Sequence, residues 1–225
     1  MENLPVFISI FFGVIVVITI TWFYISSGSR TYLLLAMGWT ILQSILGLSG
    51  FFRDTTALPP RILLFGVVPP LLLIAFTFLS KKGKAFIDTI NLKTLTYFHV
   101  IRVPVEIVLA LLFSHGVVSK YITFEGTNFD LFSGVTAPIV AFLAFRTANT
   151  NKGLLLGWNI LCLLLLLNVV VTAILSMPTP FQKLDLDHPN IALLYFPFNL
   201  LPTIVVPTVL FGHLVAIKRL TRVRE

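Results

Sequence analysis

Residues 95–113 read LTYFHVIRVPVEIVLALLF. The run has the length and apolar character of a helix crossing the ~30 Å hydrocarbon core of a bilayer, which takes about 20 residues. It nevertheless carries His99, Arg102 and Glu106. Ionisable groups at such depth are costly unless they are paired or wetted, which makes an intramembrane H-x2-R-x3-E set a functional-site hypothesis.

The rest of the chain agrees with a membrane setting. It is 57% hydrophobic and 11% charged, whereas soluble domains are roughly 45–50% apolar and about 25% charged. The expectation is an all-α, polytopic integral membrane protein forming a single membrane domain over residues 1–225. Seven apolar segments stand out: Pro5–Ile25, Tyr32–Phe51, Ile62–Leu79, Leu95–Ser114, Phe129–Phe145, Leu154–Ser176 and Ile191–Ile217. The fifth is the shortest.

Seven spans put eleven basic residues on one side: Arg30, Lys81, Lys82, Lys84, Lys93, Arg146, Lys152, Lys218, Arg219, Arg222 and Arg224. The other side receives four: Arg53, Arg61, Lys120 and Lys183. Short basic loops stay cytoplasmic, so the expected topology is N-terminus outside and C-terminus inside, in a plasma (inner) membrane. The uncharged Met1-Glu2-Asn3 leader suits an N-out helix and lacks the basic region of a secretory signal. The net charge of +7 is then topology-setting charge touching anionic head groups, with no sign of nucleic-acid binding. The single cysteine, Cys162, excludes an intramolecular disulfide and any C-x-x-C site.

An internal repeat is suggested by Gly38-Trp39-Thr40-Ile41-Leu42 in the second span and Gly157-Trp158-Asn159-Ile160-Leu161 in the sixth. Pro60-Arg61-Ile62-Leu63-Leu64 ahead of Pro69-Pro70 answers in turn to Pro189-Asn190-Ile191-Ala192-Leu193 ahead of Pro197 and Pro202, at a shift of 129 residues. The predicted arrangement is a parallel 3+1+3, with halves 1–80 and 124–219 and residues 95–114 as the linker helix. It resembles the SWEET and related PQ-loop carriers in architecture. Trp39, Trp158 and Asn199 stand where that resemblance implies a solute site between the halves. The Pro-Gln signature is absent, since Gln43 follows Leu42.

Steps of three and four residues put His99, Arg102 and Glu106 on one helical face. Two readings follow. Arg102 and Glu106 can neutralise each other as an i, i+4 pair that fixes packing. Alternatively Glu106 changes protonation as a solute or proton passes, with His99 relaying, or Arg102 grips an anionic group bidentately. His213, about as deep as His99, can pair with it if the fourth and seventh helices touch. No metal site is expected, because Glu106 lies roughly 10 Å along the axis from His99. Asp130 with Ser133 is expected to cap the fifth helix. His115 and His188 are expected in surface loops.

Pro69-Pro70 and the series Pro197, Pro202 and Pro207 must free backbone carbonyls within their spans. Such breaks are tolerated where side chains or water satisfy the groups. No lysine falls within a span for a retinal Schiff base, and no G-x-S-x-G, H-E-x-x-H or P-loop is present. The sequence therefore points to a small-solute or lipid carrier or binding protein with a polar site inside the bundle, formed from His99, Arg102, Glu106, Asn199, Trp39, Trp158 and His213. The alternatives are an intramembrane enzyme using the His/Arg/Glu set, to which no recognised motif lends support, and a non-catalytic scaffold or sensor subunit. Membrane lipids are the expected partners, a homo-oligomer is compatible, and no cofactor is called for.

Overall fold

The computed structural model describes residues 4–147 and 149–222. The Met1-Glu2-Asn3 leader and Arg224 lie outside the described residues. In chain order the helices are α1 (Val6–Ser27), α2 (Arg30–Leu48), α3 (Ile62–Leu79), a short α4 (Lys81–Thr89), α5 (Leu92–Ser114), α6 (Asp130–Phe145), α7 (Lys152–Leu175) and α8 (Leu201–Thr221). No strand occurs among the described residues. Six of these helices, α1, α2, α3, α5, α7 and α8, are long and apolar enough to cross a membrane, and α6 is a shorter apolar helix of 16 residues.

Local chemistry sets the helix ends. Gly28 closes α1 in the left-handed conformation at φ 62°, its N–H donating to Tyr24 O, a conformation that a Cβ penalises. Ser29 follows at once as the cap of α2, accepting from the Tyr32 N–H at 3.2 Å. Asn91 and Asn151 cap α5 and α7 in the same way. Each satisfies a backbone donor that a helix start leaves free.

Burial separates the helices into a centre and a periphery. The most apolar windows of α5 and α8 are 61% and 67% buried, against 11% for α2 and α3. The centre is filled by Phe12, Phe23, Phe98, Phe198 and Phe211 with Leu and Ile side chains around them. Phe23 anchors it, with ring centroids 5.6 Å from Phe211 and 6.1 Å from Phe98. By contrast α2 and α3 turn Leu34, Ile41, Ile45, Leu72 and Phe76 outward, which suits helices bathed in lipid rather than water.

Helix α6 packs by a different device. Gly134, Ala137, Ala141 and Ala144 are buried on one face while Val135, Ile139 and Phe142 point outward. Small residues at three- and four-residue spacing let helix backbones approach closely, the usual way that membrane helices associate. At Gly134 the approach is so close that an added Cβ would lie 3.0 Å from the Val103 backbone N.

The prolines produce two wide helical turns. Residues Ile62–Val67 of α3 and Leu201–Val205 of α8 are π-helical and run into ordinary α-helix at Val68 and Val206. Pro69 and Pro207 have no N–H for the carbonyls four residues back, Phe65 and Thr203. Helix α2 supplies both missing donors: Gln43 Nε2 donates to Phe65 O at 2.9 Å and Trp39 Nε1 to Thr203 O at 3.1 Å. The expected seventh span is shortened. Helix starts only at Leu201, and the stretch before it, with Pro197 and Asn199, forms turns and a 3-10 turn at Ala192–Leu194.

The ends of the bundle are knitted by these irregular segments. Ser119 N donates to Asn190 Oδ1 at 2.8 Å, Ser119 Oγ to Asp185 Oδ2 at 2.6 Å and Ala192 N to Val117 O at 2.9 Å. His115 and His188 are exposed there. At the opposite end α4 buries Ile87 beneath α3 and α8, Arg219 donates to Ile90 O, and Arg222 pairs with Asp88 at 2.9 Å.

Candidate functional site

Four helices bring their polar side chains to the middle of the bundle. His99, Arg102 and Glu106 of α5 are 1%, 3% and 3% exposed, so the ionisable face of this helix turns into the bundle. A 3-10 turn at His99–Ile101 sits inside α5 and leaves all three on the buried side.

Arg102 takes a partner that the sequence did not indicate. Its Nη1 lies 2.5 Å from Asp130 Oδ1, whereas no ion pair joins it to Glu106 among the described residues. The expected i, i+4 pair is therefore replaced by a pair between α5 and α6. Arginine four residues N-terminal to glutamate is the weaker order for a helical pair, and close α5–α6 packing at Gly134 brings the Asp130 carboxylate within reach instead.

Asp130 is correspondingly not the cap that its position suggests. Phe129 occupies the cap position without a side-chain hydrogen bond, and the Asp130 carboxylate receives Arg102 and, at 3.5 Å, the Ser133 hydroxyl. Glu106 is held by the preceding loop: Asn128 Nδ2 donates to Glu106 Oε1 and, at 2.9 Å, to Ile122 O. Asn128 Oδ1 accepts the Asp130 N–H at 2.8 Å. A single asparagine thus fixes the loop, the start of α6 and the glutamate together.

These contacts explain why α6 is short. It starts level with Glu106, eight residues before α5 ends, or about 12 Å along the axis. In the segment that leads into it, Thr123 and Asn128 are buried while Phe124, Glu125, Thr127 and Phe129 are exposed. The two inward side chains, Asn128 and Thr123, are 1% and 0% exposed.

The two deep histidines meet. The imidazoles of His99 and His213 stack with centroids 3.9 Å apart and planes 15° from parallel. The Trp158 ring stands 5.5 Å from His99 and 5.8 Å from His213, its indole N–H donating to Thr136 Oγ1 at 2.9 Å. Asn159 assigns a tautomer. Its amide nitrogen donates to Leu155 O at 2.8 Å, so its oxygen accepts from His213 Nδ1 at 2.8 Å, which places a proton on that nitrogen.

Not all buried polar atoms are satisfied. Arg102 Nε and Nη2, Glu106 Oε2, both ring nitrogens of His99 and His213 Nε2 have no protein partner among the described residues. Such groups are rare inside folded proteins; Gln43 Oε1 and Asn199 Oδ1, away from this centre, share the condition.

Trp39 and Asn199 belong to a second cluster, outside this centre. Trp39 serves the carbonyl freed by Pro207, and Asn199 Nδ2 donates to Gln43 O at 2.8 Å. Asn199 is seated directly over Gly47, where an added Cβ would stand 2.7 Å from its Oδ1. Gly47→Ala is accordingly expected to displace the amide and destabilise the protein by about 1–3 kcal/mol. Unfolding midpoints in detergent equal to wild type would contradict that packing.

Sequence reasoning named His99, Arg102, Glu106, Trp158 and His213, which come together, and missed Asn128 and Asn159 as members and Asp130 as the ion-pair partner. One signal was present: a buried arginine needs a carboxylate, and two were within reach of a helix. No curated protein and no solved structure matches the chain. A family model does match, over residues 59–221, from the start of α3 through the buried polar centre to the end of α8, and the chain belongs to that family, described as a domain of unknown function (DUF8737).

Proposed function

We propose that the protein is a membrane carrier that binds and moves a small solute or a lipid through the polar centre formed by α5, α6, α7 and α8. The observation that carries this reading is the set of unpartnered donors and acceptors on Arg102, Glu106, His99 and His213, all buried. A centre built for packing alone gains nothing from ionisable groups left without partners.

In this reading α6 is a seventh span. Its 16 residues cover about 24 Å, and the segment before it, tied to Glu106 through Asn128, completes the crossing. Interrupted helices that start at mid-depth are where carriers place their sites, and both α6 and α8 begin after irregular backbone. Two related halves are supported by the matched pairs Phe65/Pro69 and Thr203/Pro207, each a freed carbonyl under a proline following a π-helical turn. The register of those pairs is 138 residues in place of the 129 that the Pro60 and Pro189 motifs gave.

Segregation of the basic residues supports an N-terminus outside and a C-terminus in the cytoplasm. A reporter fused after Glu225 should be active only as a cytoplasmic enzyme and a tag before Met1 should be labelled from outside. An external C-terminus would exclude seven spans. For transport, purified protein in proteoliposomes should give saturable uptake from a panel of small solutes, or lipid movement between leaflets, with Glu106→Gln altering its pH dependence. Rates equal to those of empty vesicles across the panel would defeat the carrier reading.

A further inference from the structure

The guanidinium of Arg102 is used on one corner only. Nη1 takes Asp130 at 2.5 Å, while Nε and Nη2 have no protein acceptor among the described residues. Those two nitrogens share one edge of the planar group and present parallel N–H bonds, the fork that binds a carboxylate or phosphate through two oxygens at once. The side chain is 3% exposed, so the fork is held in a low-dielectric interior where such a contact is strong.

We infer that the ligand of the polar centre is an oxyanion, a carboxylate or phosphate group bound bidentately by Nε and Nη2 of Arg102, and that it binds together with one proton. This rests on the carrier reading for the site's purpose but not for its chemistry. The same chemistry is offered by a small acid in solution and by an anionic lipid head group.

The proton follows from charge balance. Arg102 and Asp130 cancel and a protonated Glu106 adds no charge, so a bound oxyanion adds a net negative charge to a buried site, which is strongly unfavourable without compensation. The titratable groups around the guanidinium are His99 and Glu106 on α5, Asp130 on α6, Cys162 on α7 and His213 on α8, all buried. Of these, His99 and His213 have unpartnered ring nitrogens able to take a proton. At His213 the choice is specific: Nδ1 already carries a proton toward Asn159, leaving Nε2 as the basic atom. Protonation there turns a lone pair into a donor and supplies the compensating positive charge.

The test uses the full-length protein in phosphatidylcholine nanodiscs. Acetate, inorganic phosphate and, in a third arm, nanodiscs doped with phosphatidic acid are titrated by calorimetry and by thermal unfolding between pH 6 and pH 8. The expected result is saturable binding in at least one arm, tightening as pH falls, after allowance for the ionisation of the phosphate ligands themselves, by up to about tenfold per unit for one linked proton. A response to the soluble anions identifies a solute site, and a response only to phosphatidic acid identifies a head-group site. Arg102→Lys should weaken binding at least tenfold, because lysine keeps a charge for Asp130 but has no fork.

Absence of saturable binding in all three arms would overturn the inference, as would equal binding by Arg102→Lys or affinity that rises with pH. If that variant does not fold, the wild-type titrations decide, with acetamide as the uncharged control: binding equal to that of acetate counts against the inference. The two readings fail separately. Uptake of uncharged solutes without oxyanion binding removes only the inference, and oxyanion binding without transport removes only the carrier.

Discussion

Replacing Asp130 by alanine is expected to destabilise the protein by about 3–5 kcal/mol, the range for stranding one member of a buried ion pair. Asp130 is 6% exposed and its carboxylate is the one ion-pair partner of Arg102 among the described residues. Its loss leaves a buried guanidinium without its ion-pair partner. The double replacement Arg102→Met with Asp130→Leu should recover most of the loss, since a buried pair often does no better than apolar residues of similar volume. Glu106→Gln is the contrasting control. Its Oε1 can still accept from Asn128, so it should change stability by less than about 1 kcal/mol. Unfolding in detergent, followed by circular dichroism, measures all three. An Asp130→Ala protein within about 1 kcal/mol of wild type, or a double variant worse than the single one, would show that the pair does not hold α5 to α6.

The second large effect is expected at Gly134. A Cβ there would meet Val103 Cγ2 at 2.8 Å, Val103 N at 3.0 Å and Arg102 Cβ at 3.2 Å. One of these is backbone and cannot rotate away, so α5 and α6 must separate. Gly134→Val should destabilise by about 1–3 kcal/mol from overpacking, and by more if the shift also breaks the Arg102–Asp130 contact. Gly157 provides the comparison, because nothing lies within 4 Å of a Cβ added there. Gly157→Ala should be neutral or stabilising by up to about 1 kcal/mol, since alanine is the better helix former. Equal midpoints for the Gly134 and Gly157 variants would mean that the small-residue face of α6 does not set the helix separation.

Much of the architecture was legible before folding because it depends on properties that are local to the chain. Apolar length marked the segments, and the three- and four-residue steps put His99, Arg102 and Glu106 on a common face, where the structure buries them. Caps were less legible. Ser29, Asn91 and Asn151 behave as local chemistry dictates, but Asp130, in an equally good position, is taken by Arg102. The difference is depth. At a helix start open to water a carboxylate is free to bind backbone N–H groups, while inside the bundle an unpaired guanidinium competes for it.

The prolines show the same division. That Pro69 and Pro207 free the carbonyls of Phe65 and Thr203 follows from the missing N–H alone. That Gln43 and Trp39 of α2 supply the donors does not, for these residues are 22 and 164 positions away from the carbonyls they serve. Trp39 and Asn199, singled out as lining for a solute site, have their donors committed to backbone oxygens.

What the sequence by itself determined is the membrane-like helical class, the inward ionisable face of α5 and the positions where helices must break, since each depends on the identity and spacing of neighbouring residues. Only the tertiary structure decided that Arg102 pairs with Asp130, that Asn128 holds Glu106, and that His99 stacks on His213. Those contacts depend on distances between helices far apart in the chain. Electrostatic and hydrogen-bond energies fall off over a few ångströms of space, whatever the number of residues between the partners.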